Sequence, residues 1–190
     1  MLKVIKSPNK DLQLIKQALN NNRRAQQQLY DKYAPKMVSI CRYYIKDIHQ
    51  AEEIMLEGFF KVFTKLSTYK NEGSFEGWIK RIMIRDCISF LRKKSKLVFT
   101  DDMSYYEDEL EKPVEVEIAI ENIQGYINKL PNTCKVIFNL YVIEGYKHLD
   151  IAELLNISEG TSKTQLFRAR KALQKMLKTN QKVYNGTTQL

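Results

Sequence analysis

The chain has 190 residues, enough for one large domain or two small ones and too few for three. A hydrophobic share of 44% excludes disorder throughout, and only 7 Gly and 4 Pro favour long helices over many short strands. Lys and Arg number 31 against 22 Asp and Glu, for a net charge of +9.

Taken in chain order, residues 11–22 read as a short helix with Leu12, Ile15 and Leu19 on one face. Residues 24–45 keep a helical period, and Pro35 marks a kink or a break between two helices. From Ala51 to Leu66 the apolar set Ile54, Met55, Phe59, Val62, Phe63 and Leu66 makes one broad stripe. Residues 67–74, S-T-Y-K-N-E-G-S, form a loop. A further helix runs from Phe75 to Lys94 with Trp78, Ile79, Ile82, Cys87 and Leu91 inward. The stretch 97–120 has no sustained period and contains Pro113, so it reads as a linker. Beyond it, helices are expected at about 118–129, 132–144, 148–155 and 159–177, with Pro131, Gly145 and Asn156 at the breaks. The fold class is all-α: a domain over 1–96, an acidic linker over 97–120, a second domain over 121–178 and a tail over 179–190.

Charge follows this division. Residues 24–96 carry a net +7, residues 97–120 a net −7 and residues 121–178 a net +4. A basic block is either an electrostatic footprint for nucleic acid or a solvated surface. No apolar run approaches the ~18 residues of a membrane span. The N-terminus MLKVIKSPNK has no apolar signal core, which points to the cytoplasm. Cys41, Cys87 and Cys134 are far apart and form no CxxC, and neither His49 nor His148 stands at ligand spacing to one. Buried free thiols are expected, with no metal and no cofactor.

The strongest local signal is HLDIAELLNISEGTSKTQLFRARKAL, residues 148–173. A first helix turns Ile151, Ala152 and Leu155 inward; Asn156 suits a left-handed turn position, Ile157 plugs the turn, and Ser158 caps a second helix. That second helix buries Leu166, Ala169, Leu173 and Leu177 and shows Lys163, Thr164, Gln165, Phe167, Arg168 and Lys171 on its other face. Such a helix fits a major groove, where Gln reads adenine and Arg or Lys reads guanine. An ordinary helical hairpin is the plainer reading.

Residues 145–173 closely resemble the C-terminal helix-turn-helix of bacterial sigma-70 family factors of the extracytoplasmic-function (ECF) group. A-E-E-I-M-L-E-G-F-F-K-V-F (51–63) looks like that family's segment for binding core RNA polymerase, and G-S-F-E-G-W-I-K-R-I-M-I-R-D-C-I-S-F-L-R-K-K (73–94) like its promoter-melting segment. Gln50, Leu56, Arg85, Ser89 and Lys147 stand where the family usually has Asp, Gln, Asn, Asp and Ser.

The resemblance implies a sigma factor that binds core RNA polymerase, directs it to promoter DNA and helps melt it, without catalysis of its own and without a small-molecule substrate. It places core binding on Glu52, Glu53 and Glu57 with Phe60 or Phe63 as apolar anchor. Promoter melting falls to Lys70, Asn71, Lys80, Arg81 and Arg85 as a basic surface and to Tyr69 and Phe75 as an aromatic one; Trp78 packs or joins them, and Arg92 and Lys93 grip phosphate. The upstream element would meet Ser158, Gly160, Thr161, Lys163, Thr164, Gln165, Phe167, Arg168 and Lys171. An anti-sigma factor, membrane-bound or not, is implied by family habit. The acidic linker, able to span ~80 Å, is either a tether or a plug for a channel built for RNA. Two other classes compete: a stand-alone helix-turn-helix regulator, and an enzyme, for which no phosphate-binding loop or paired nucleophile and base is found.

Overall fold

The computed structural model describes residues 9–95 and 123–186, which are helices joined by short turns and irregular segments, with no strand among them. The expected acidic linker (97–120) and the last residues of the tail lie outside the described residues. Among the described residues eight α-helices follow one another: α1 (Asn9–Leu19), α2 (Arg23–Tyr44), α3 (Ile48–Thr64), α4 (Phe75–Ser95), α5 (Ile123–Lys129), α6 (Asn132–Phe138), α7 (His148–Leu155) and α8 (Glu159–Gly186). The chain divides into two compact units, with the division at Phe90 and Leu91 in the last turns of α4.

In the first unit α2, α3 and α4 each start on a side-chain cap. The Asn22 carboxamide accepts from the Ala25 N–H (3.1 Å), the Asp47 carboxylate from Gln50 (2.9 Å) and the Ser74 hydroxyl from Gly77 (3.1 Å). α2 runs through Pro35 without a break, contrary to one of the two expectations. Asp31, whose carbonyl loses its donor, and Pro35 both sit on the exposed side, where water replaces the missing bond. On the inner side Ala25, Leu29, Tyr33, Met37, Ile40 and Cys41 make one buried stripe. α1 covers part of it with Ile15 and Ala18, while Leu19, expected inside, is 44% exposed because Ala18 takes the inner position one residue earlier. α4 buries Ile79, Met83, Ile84, Cys87 and Ile88; Trp78 and Ile82 are only half-buried.

α3 and α4 meet closely at Gly58. A Cβ there would stand 2.4 Å from the Met83 sulfur, so a larger residue would require the buried Met83 side chain to shift. One turn on, Lys61 pairs with Asp86 at 2.6 Å. Cys41, Cys87 and Cys134 are buried free thiols, as expected. A hydrogen bond with Cys41, together with burial, pushes the Cys87 thiol up and keeps it protonated.

The second unit is built on α6, α7 and α8. Ile137, Leu140, Ile151, Leu155, Leu166 and Ala169 are its buried centre. α6 leads into a π-helical turn over Asn139–Ile143, and Gly145 at φ 74° ends the run. α8 continues to Gly186, well past the expected end at 177.

Candidate nucleic-acid and partner interfaces

Helical phase separates the three phenylalanines of α3. Phe59 is buried at 3% exposure with its ring 4.9 Å from Tyr30. Phe63 is half-buried, 6.1 Å from Phe59, and Phe60 projects outward at 72% exposure. Of the two anchor candidates, Phe60 is thus the presented one, while Phe63 is partly used in packing. Glu52, Glu53 and Glu57 are all exposed on the same side. Leu56, 55% exposed and one turn before Phe60, completes an apolar pair between carboxylates. Sequence reasoning noted Leu56 only as a departure; its i,i+4 spacing to Phe60 was the available signal.

A cavity of about 190 Å³ opens where the 66–68 turn meets the start of α4, lined by Thr68, Tyr69, Lys70, Glu72, Gly73, Ser74, Gly77, Trp78 and Arg81. The loop's shape depends on left-handed Asn71 (φ 58°) and Gly73 (φ 102°). The Tyr69 hydroxyl donates to the Gly73 carbonyl across 2.8 Å and lies 3.2 Å from the Asn71 side-chain oxygen. Tyr69 and Trp78 stand 5.5 Å apart, and both rest on Phe75, at 5.1 and 5.7 Å. Phe75 itself is only 5% exposed, which corrects its expected place on the aromatic surface: it is the floor under that surface. Trp78 combines both expected readings, stacked on Phe75 and lining the cavity. Lys70, Asn71, Arg81 and Arg85 are exposed and Lys80 is half-buried; Arg92 and Lys93 are exposed in the last turns of α4.

The turn between α7 and α8 is built as expected. Asn156 is left-handed (φ 51°), and the Ile157 N–H bonds back to the Ala152 carbonyl at 3.0 Å. The Ser158 hydroxyl caps α8 by accepting from the Thr161 N–H at 2.9 Å. At the start of α7 the Asp150 carboxylate accepts the Lys147 N–H (3.2 Å). Lys147 has no side-chain acceptor to return the bond, which a serine there would have.

The inner face of α8 holds Thr161, Ser162, Gln165, Leu166, Ala169 and Leu173. Two expected DNA contacts are corrected by this. Gln165 is 3% exposed and accepts a hydrogen bond from the Cys134 thiol at 3.2 Å; Thr161 is 4% exposed, its hydroxyl 2.7 Å from that of Ser158. Burial is the main cause that pushes the Cys134 thiol up. Arg168 is half-buried, close enough to Cys134 for its charge to act on the thiol. Gly160, Lys163, Phe167 and Arg170 are exposed, with Thr164 and Lys171 half-exposed beside them. Lys163 pairs with Glu159 (2.8 Å), and the Lys171 ammonium lies 5.1 Å from the Phe167 ring centre. Arg170 was missed by the sequence reading, although it stands i+7 from Lys163 and i+3 from Phe167.

Behind this face, His148 Nδ1 lies 2.9 Å from the buried Ser162 hydroxyl, and its ring stacks on Tyr141 at 4.4 Å. Arg170 lies over the same tyrosine at 5.9 Å. Burial, followed by the charge of Lys163 and aided by Arg170, holds His148 below its usual value despite the opposing pull of Glu159.

Residues 29–97 match the family model for Sigma-70 region 2 and residues 120–173 that for Sigma-70, region 4. The chain is similar to the ECF RNA polymerase sigma factor SigW of Bacillus subtilis (strain 168), 28% identical over 177 residues that cover 86% of this chain and 95% of the relative. It is similar also to the RNA polymerase sigma factor SigV of the same organism, 30% identical over 130 residues, 68% of this chain and 77% of the relative. Among solved structures, the sigma factor RpoE in complex with the anti-sigma factor NepR from Bartonella quintana shares the fold, with a TM-score of 0.53 at 20% identity, over 80% of this chain and 96% of that one. CnrH in complex with the cytosolic domain of CnrY does likewise, with a TM-score of 0.52 at 18% identity, over 89% and 97%. With both regions matched in order, and with relatives matched over most of their length, the chain belongs to the sigma-70 family of RNA polymerase sigma factors, in its ECF group.

Proposed function

We propose that this sigma factor, which directs RNA polymerase to promoters, divides its work among three exposed surfaces. The outer face of α3, with Glu52, Glu53, Leu56, Glu57 and Phe60, docks on the core enzyme. The cleft of residues 68–81 holds an unpaired base of the downstream element, with Lys70, Arg81 and Arg85 gripping the strand around it. Lys163, Thr164 and Phe167 on the outer face of α8 read the upstream element, with Arg170 and Lys171 gripping the backbone beside them. The expected domain over 1–96 thus binds polymerase and melts DNA, and that over 121–178 anchors the complex upstream. Bond making is left to the polymerase, and the site of action is the cytoplasm, where core enzyme and DNA are. A partner of the anti-sigma kind seen with RpoE is proposed to hold the chain until it is needed.

The observation that carries this reading is Phe60, a large apolar side chain 72% exposed beside an exposed leucine and between carboxylates. An apolar centre inside a charged rim is what a protein partner desolvates. The test is Glu53→Arg combined with Phe60→Ala. This variant should keep its helical circular dichroism, lose binding to core polymerase and lose promoter-specific transcription. Normal core binding by the folded variant would remove α3 as the docking face.

A further inference from the structure

We infer that Asp11 and Tyr33 are positioning residues for the cleft of residues 68–81: one hydrogen bond from Tyr33 to α1 sets the tilt of the aromatic floor on which an unpaired base is held. The inference rests on the reading of that cleft as a base-holding site. α1 lies outside the segment that matches region 2, which begins at residue 29.

Four rings run without a gap from α2 to the cavity. Tyr33 on α2 is 6% exposed and meets Phe75 edge-on, 5.7 Å between centres at 74°. Phe75 carries Trp78 stacked at 19° and Tyr69 at 63°, and these two line the cavity. Phe75 has no polar group and almost no exposure, so its orientation is dictated by the rings around it.

Of the two buried rings in this chain, Tyr33 is the one with a polar handle. Its hydroxyl donates to Asp11 Oδ2 across 2.8 Å, and the other Asp11 oxygen takes the Lys32 ammonium at 2.5 Å. A buried phenol needs an acceptor. Here the acceptor is a carboxylate on a separate helix, itself fixed by a cation. Burial raises the Asp11 carboxyl, but the bonds from Lys32 and Tyr33 outweigh it and hold the group below its usual range. Burial and the same carboxylate push the Tyr33 hydroxyl up. The pair therefore remains carboxylate and phenol at neutral pH. The Asp11 charge also reaches Tyr69 at the cavity wall, where it adds to the effect of burial in raising that hydroxyl.

The test uses holoenzyme reconstituted with the full chain and a set of promoters that each lack one base of the downstream element. With wild type, one abasic position should shorten the lifetime of the open complex by about tenfold, the size of one lost base–aromatic stack. Trp78, the single tryptophan of the chain, should change its emission when a single-stranded oligonucleotide of that element binds. Tyr33→Phe keeps the ring and removes the hydroxyl; it should cut the abasic penalty at that position to about threefold or less, with core affinity unchanged. Asp11→Ala, at a half-exposed position, should act the same way, and Asp11→Asn, which keeps an acceptor, should restore the penalty. A full penalty in both Tyr33→Phe and Asp11→Ala overturns the inference. Equal weakening at every position overturns it too, since that marks a merely structural role. Absence of any position-specific penalty in wild type defeats the base-holding reading itself, and the positioning role with it.

Discussion

The Cys134 thiol and the Gln165 side-chain oxygen meet 3.2 Å apart inside the second unit, linking α6 to α8 away from solvent. Gln165 is thereby a structural residue of the reader helix. Gln165→Ala is expected to lower the unfolding free energy by about 1–3 kcal/mol, through the lost bond and the group left behind. Urea titration measures that loss. Binding to promoters substituted base by base should show unaltered preference, and a switch at one base would mean that Gln165 reaches DNA after all.

Arg170 is exposed and lies eleven residues along α8, about 16 Å from its start. Reading helices use their first turns for base edges, so Arg170 is expected to grip phosphate. Arg170→Ala should weaken all promoter variants equally and make the log–log salt slope shallower by about 1. Titrations between low and moderate salt decide the matter. An effect confined to one base pair would count against the phosphate assignment.

Gly58→Ala would normally stabilise a helix by about 1 kcal/mol. Here its methyl would collide with the Met83 sulfur, which is fully buried, and the expected result is a loss of about 1–3 kcal/mol. Combining it with Met83→Ala should cost clearly less than the two separate losses added together, because each change makes room for the other. Additive losses would show that α3 and α4 are less closely fitted at this point.

His148 is expected to make the second unit sensitive to acid. Its pKa is lower in the fold than the ordinary 6.5, so the fold prefers the neutral ring. The associated stability is fully present above the unfolded value and is lost as pH falls from there through the folded value. Wild type should therefore lose stability faster than His148→Gln as pH drops below about 6.5. Parallel slopes for the two proteins would contradict the sign.

Helix positions, the left-handed Asn156 and the Ser158 cap were legible in the sequence because each depends on neighbours within one turn. The exposure of Phe60 was legible as one of two options, since three phenylalanines within five residues cannot share a face. Gln165 was misjudged for the opposite reason: its partner is 31 residues away, and no local pattern distinguishes a buried amide from a reading one. Phe75 was misplaced because its environment comes from Tyr33 on another helix. Leu19 followed the helical period and still lies outside, since the period fixes a stripe and the neighbouring helix decides where the stripe ends.

The π-helical turn at Asn139–Ile143 bears on how this chain tolerates changes of length. The Glu144 N–H reaches the Asn139 carbonyl five residues back, at 2.9 Å, so the turn holds one residue more than an α-turn requires. Val142 and Ile143, 48% and 41% exposed, carry that surplus to the surface. Losing a single residue there lets the turn close as ordinary α-helix, with the flanking core left in register. The same loss in the first turn of α8 would rotate every later side chain by about 100° and carry the Phe167 and Arg170 face away from the target proposed for it. Among the described residues of the second unit, the turn at Asn139–Ile143 is thus a natural address for the loss of a residue, and the first turns of α8 are not.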